Sequence, residues 1–111
     1  MIKKLFDFLF DNDIDVYFPG QHKGECTSNY VVIKENTTSS LNGITGSGLI
    51  DLLFFVPESD YLECANYRKK VKEILENFKD IEFTGNETGP VTDDSVKAYT
   101  FSLMYKKYKR I

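Results

Sequence analysis

The first eleven residues place Ile2, Leu5, Phe6, Leu9 and Phe10 at helical spacing, with Lys3, Lys4, Asp7 and Asp11 on the other side. This pattern predicts a short amphipathic helix over 2–11. Asn12-Asp13 breaks the period, and Ile14, Val16 and Phe18 then alternate with Asp15 and Tyr17 up to Pro19-Gly20, which predicts a strand closed by a turn. A polar loop, Gln21 to Asn29, leads to the β-branched strand Tyr30-Val31-Val32-Ile33. From Glu35 to Gly48 the chain is rich in Thr, Ser, Asn and Gly, with only Leu41 and Ile44 to anchor it, and reads as a long excursion with a job of its own or as a segment partly disordered until it meets a partner. Leu49 to Val56 is the strongest strand, and Pro57 stops it. Ser59 or Asp60 is the expected cap of a second helix running to about Phe78, with Asp60 and Glu63 at capping-box spacing. Its apolar stripe is Tyr61, Leu62, Ala65, Val71, Ile74, Leu75 and Phe78, and its acidic residues precede its lysines, the order that the helix dipole favours. Ile81 to Thr84 is a short strand, Gly85 to Ser95 is turn-rich, and Val96 to Tyr108 is a long final strand.

Runs of strands without alternating helices point to an α+β domain: a mixed or antiparallel sheet of four to five strands with two helices packed on one face. One domain is expected over residues 1–111. In the strand from Leu49 the even positions Ile50, Leu52, Phe54 and Val56 are all large and apolar, so this side should meet the helices. In the last strand Tyr99, Phe101, Leu103 and Tyr105 carry the bulk. Two helices cover one side of a sheet, which keeps Leu49, Leu53, Phe55, Val96 and Met104 of the second face in contact with water if the protein is alone. An apolar patch rimmed by polar residues usually marks a contact between proteins, and Leu49, Leu53, Phe55 and Met104 are the candidate subunit-interface residues. The alternative is that the long loop from Glu35 to Gly48 folds over this face.

A net charge of −3 and a pI near 5.1 argue against a chain whose main role is to coat nucleic acid. The apolar runs fall far short of the ~20 residues that span a bilayer, so no membrane segment is expected. The start Met-Ile-Lys-Lys-Leu-Phe resembles a leader, but aspartates interrupt it and no small-residue cleavage site follows, so an unprocessed cytosolic product is expected. Cys26 and Cys64 read as reduced, structural thiols.

Candidate chemistry is thin. Asp11-Asn12-Asp13-Ile14-Asp15 starts like a calcium loop but has Val16 where Gly is needed and His22 where a bidentate Glu is needed. His22 and Cys26 could both touch a metal, yet a closed zinc site needs four ligands, so His22 is read as a loop histidine without a role. Gly43, Gly46 and Gly48 precede a strand and open no helix, the wrong context for holding a phosphate. One histidine and no oriented serine or cysteine suggest no hydrolytic triad. Asp93-Asp94 lies in turn-rich sequence, where carboxylates are ordinary. Tyr105 to Arg110 interleaves basic and aromatic residues and reads as a solvated strand end, capable at most of non-specific contact with passing DNA. No catalytic residue, cofactor or metal ligand is assigned, and the chain is not expected to be an enzyme.

The helix Ile2 to Asp11, the strand ending Val16-Tyr17-Phe18-Pro19, Tyr30-Val31-Val32-Ile33, the apolar strand Leu49 to Val56, the helix Tyr61 to Phe78 and the closing Val96 to Tyr105 together resemble the tail terminator or tail-completion proteins of long-tailed bacteriophages, which also occur in prophages and phage-tail-like bacteriocins. The resemblance covers nearly the whole chain and carries no invariant motif. It implies an α+β subunit that closes into a homomeric ring, usually a hexamer, at the head-proximal end of the tail tube. There it would end tube polymerisation and present the docking face for the head or neck, with the tail tube protein and a head-completion or neck protein as partners, in the virion and, during assembly, in the host cytoplasm. The alternatives are another neck ring protein, such as a connector, or a small ligand-binding domain or enzyme with an unadvertised site.

Overall fold

The structure is a computed structural model that describes residues 2–22, 24–36 and 49–107. The expected excursion of residues 35–48 therefore lies outside the described residues beyond Asn36, as do the three glycines within it and the end of the basic-aromatic run.

Helix α1 spans Ile2–Asp11. Leu5 and Leu9, one turn apart, are fully buried, while Phe6 and Phe8 flank them and reach partners on either side. The helix stops because Asp13 takes a left-handed conformation (φ 64°), which lets its N–H reach the Phe10 carbonyl and that of Ile14 reach Leu9 at 3.0 Å. This is a Schellman ending, with the apolar residue after it, Ile14, buried in the same core as Leu9. Asn12 adds a side-chain hydrogen bond to the Phe8 carbonyl at 2.8 Å. The aspartates that looked like the start of a calcium loop thus form the helix stop.

Strand β1 is only Val16–Tyr17, because Phe18 leaves the expected strand to stack on Phe6 at 4.8 Å. Strand β2 runs through Tyr30–Asn36, longer than its β-branched centre, and β3 is Leu49–Pro57. Helix α2 is Glu63–Leu75, shorter at both ends than its apolar stripe suggested. No side chain caps it: Leu62 holds the cap position, and the Glu63 N–H is taken by the backbone carbonyl of Asp60 in a tight preceding turn. Strands β4 (Ile81–Glu87), β5 (Val91–Asp93) and β6 (Ala98–Lys107) follow.

The fold is α+β. Its mixed sheet has six strands where four to five were expected, in the order β1-β2-β3-β6-β4, with β5 also paired to β6. Only β1 and β2 are parallel. The additional strand, β5, is three residues long and lies in sequence that reads as turn. Along the outer edge the chain from β4 to β5 follows β6 twice out of step. Four steps from Phe83 to Glu87 are matched by two on β6, and four from Glu87 to Val91 by three. The first of these irregularities contains Gly85, whose φ of +89° favours a residue without Cβ. Arg68 and Lys72 of α2 both reach Glu87, at 4.0 and 3.1 Å, and Arg68 donates to the Thr88 carbonyl, so the kinked edge is held to the helix.

Burial alternates along β3 without exception: Ile50, Leu52, Phe54 and Val56 are fully buried and their neighbours are not. They join Phe101, Leu103 and Tyr105 of β6, Leu5 and Leu9 of α1, and Cys64, Tyr67, Val71 and Leu75 of α2 in one core. Phe54 stacks on Phe101 at 4.9 Å and meets the Tyr67 edge at 5.8 Å. Both helices therefore lie on one face of the sheet.

Candidate assembly surface

The other face is set by strand pairing. Its cross-strand rows are Tyr30, Phe55 and Thr100; then Val32, Leu53 and Ser102; then Lys34, Asp51 and Met104; then Leu49 and Lys106, with Glu82 beyond. Alternation puts Leu49, Leu53, Phe55 and Met104 on this one face, all half-buried. They do not form one continuous patch. The row Lys34, Asp51 and Met104 separates Leu49 from Leu53.

One end of this face has cover within the chain, contrary to the expectation that it would lack it. After the turn at Pro19-Gly20, His22 lies against Tyr30 and residues 24–29 run beside the segment that precedes β6. His22 stacks on Tyr30 at 3.9 Å, Tyr30 stacks on Phe55 at 4.7 Å, and Tyr17 meets Tyr30 edge-on. Cys26 donates its N–H to the Val96 carbonyl at 2.8 Å, and Glu25 pairs with Lys97 at 3.4 Å. Cys26, Tyr30 and Ala98 form a second small core, with Tyr17, Val32, Phe55 and Val96 packed against it. His22, read as a loop histidine without a role, is thus part of the cover. Phe55 is stacked against Tyr30, its cross-strand partner. Farther along the face Leu53 stands half-buried between Val32 and Ser102, which bonds to Thr88 of the kinked edge.

The reactive groups are held in their neutral forms. Burial pushes the thiols of Cys26 and Cys64 upward, and the Cys26 thiol donates to the Ser28 carbonyl at 3.3 Å. The two cysteines are unpaired and sit on opposite sides of the sheet. Burial, with lesser contributions from Cys26, Asp93 and Tyr17, raises the Tyr30 phenol to about 12. Asp93 accepts from the N–H and hydroxyl of Ser95, a turn role. Tyr105 is in the core, where it cannot stack on a base. Among the described residues no group of three or more His, Cys, Asp and Glu side chains could hold a metal ion, and no helix is long and apolar enough to cross a membrane.

Compared with known proteins, the chain matches no family model, no curated protein and no solved structure.

Proposed function

We propose that this chain is a structural subunit that works by assembly: copies close into a ring, six in the family it resembles, at the head-proximal end of a phage tail tube. The ring ends tube growth, meets the tail tube protein on one side and a head-completion or neck protein on the other, and performs no turnover chemistry. The supporting observation is the second sheet face, where Leu53 stands half-buried between Val32 and Ser102 with both helices on the far side of the sheet. A surface of this kind gains stability when a neighbour removes it from water.

The test is Leu53→Asp. A carboxylate there is tolerated in water and strongly disfavoured in an apolar contact. Folded subunits are expected, with tails that fail to join heads and tubes of irregular length under the electron microscope. Particles that have regular tubes but do not join heads would indicate a head-completion subunit instead. Normal infectious particles built from the Leu53→Asp chain would defeat the assignment.

A further inference from the structure

Residues 24–29 are attached unevenly to the rest of the molecule. Cys26 is buried, seated against Tyr30 and Ala98 in the smaller core, while Gly24, Glu25, Thr27 and Ser28 around it are exposed. Among the described residues, the polar ties that leave the segment end at one corner. The Cys26 N–H donates to the Val96 carbonyl at 2.8 Å, and Glu25 pairs with Lys97 at 3.4 Å. That ion pair is 61% and 62% exposed, a setting in which such pairs contribute little. The Cys26 thiol donates within the segment, to the Ser28 carbonyl, and so adds no tie across.

The surroundings of the segment are fixed. At the corner, the Lys97 carbonyl accepts from the Glu58 N–H at 3.2 Å, and Val96 packs against the smaller core. Before the segment, the turn from Phe18 to Gln21 is closed on itself by hydrogen bonds at 3.1 and 2.9 Å. After it, Tyr30 opens β2 and is paired with Phe55 of β3. Gly24, at φ +89°, supplies a pivot, because glycine passes between left- and right-handed backbone regions without steric cost. The segment is a strap with anchored ends and a single apolar plug.

The cost of opening such a unit follows the apolar surface and hydrogen bonds that it gives up. Here these amount to one cysteine side chain, one backbone hydrogen bond and one exposed ion pair. Cys64, by contrast, is buried in the larger core with Tyr67, Val71 and Leu75 of the same helix, and reaching it requires that core to come apart.

We infer that residues 24–29 are a strap that opens and recloses as a unit while the helices and the sheet stay folded. Opening withdraws Cys26 from its seat, breaks both ties at the Val96–Lys97 corner and brings Ala98 and the adjoining side of Tyr30 into water. Tyr30 and Phe55 form the row next to Val32 and Leu53, so the apolar second face is larger when the strap is open. The strap is a gate on that end of the face. Its opening is a property of the single subunit and stands apart from the ring reading above.

The experiment follows the alkylation of both thiols of the full chain by iodoacetamide, resolved by peptide mass spectrometry, in buffer and in urea below the unfolding transition. Cys64 is the internal reference for global unfolding. Cys26 should react at least about tenfold faster than Cys64 and at least about tenfold slower than a cysteine in an unstructured peptide. Its rate should change little with urea, because an opening strap exposes little surface, whereas the Cys64 rate should climb steeply. Glu25→Lys, an exposed change that sets like charges together at the corner, should speed Cys26 about threefold at low salt without moving Cys64. Adding Lys97→Glu to it should restore the original rate. Equal rates for the two thiols with the same urea dependence overturn the inference, since Cys26 is then reached only through global unfolding. A Cys26 that reacts as fast as the peptide overturns it as well, as does a Glu25→Lys chain with an unchanged Cys26 rate. If the strap results hold while Leu53→Asp gives normal particles, the ring reading falls and the strap stands.

Discussion

At the scale of single residues, the two faces of β3 make unequal demands on neighbouring positions. Leu52 is fully buried between the sheet and the helices, whereas Leu53, the next residue, is half-buried on the other side. Leu52→Ala should cost about 2–5 kcal/mol in denaturant unfolding, the range for a leucine truncated in a close-packed core. Leu53→Ala should change the stability of the isolated subunit by less than about 1 kcal/mol, since surface changes have small effects. Equal losses would contradict the register. The phenols give a second residue-scale expectation. Burial chiefly pushes the Tyr30 and Tyr105 phenols from 10.0 up to about 12, and Tyr67, whose buried hydroxyl has no hydrogen-bond partner among the described residues, is raised further. For groups raised in the folded state, the associated stability is complete below the unfolded value of 10.0 and is lost as pH climbs toward 12. Unfolding followed by circular dichroism should therefore set in across that alkaline window together with phenolate absorbance, and Tyr30→Phe should shift its onset upward.

At the scale of elements, α1 ends on an aspartate in a left-handed conformation where glycine would be unstrained. Asp13→Gly should raise stability by roughly 0.5–1 kcal/mol, visible as a higher thermal midpoint, because it relieves both the backbone strain and a negative charge at the negative end of the helix. Helix α1 was legible in the sequence because its signal is local: apolar residues at helical spacing, then Asn12 and Asp13. Strands β3 and β6 were legible for the same reason, through the alternation of large and small or polar side chains. Strand β5 was not, since Val91-Thr92-Asp93 is largely exposed and is a strand only because β6 lies beside it. The cap of α2 misled because Asp60 contributes its carbonyl and not its carboxylate. The covering loop was hidden for a further reason. Its work is done by His22 and Cys26, which have no apolar period, against Tyr30 and Ala98, far from them in sequence or known only through the pairing of strands.

At the scale of the whole molecule, one sheet divides two unequal cores. The larger involves both helices and fixes the fold; the smaller rests on a loop tied at Val96 and Lys97. The four candidate interface residues lie on the side of the sheet away from the helices, and alternation alone already put Asp51 between Leu49 and Leu53; the stacking of Tyr30 on Phe55 was not legible, because it depends on which residues pairing brings abreast.

The kinked outer edge has a consequence for behaviour in concentrated solution. A straight strand with open backbone groups invites another molecule to continue the ladder, the first step toward fibrils. Here the edge loses step with β6 at Gly85 and again before Val91, Pro90 removes a donor, and Glu82 and Glu87 place carboxylates along it. An incoming strand would find no long run of matched donors and acceptors. Crowded preparations should therefore show no rise in thioflavin fluorescence, while Gly85-Asn86 deletion, which shortens the irregular stretch, should produce it.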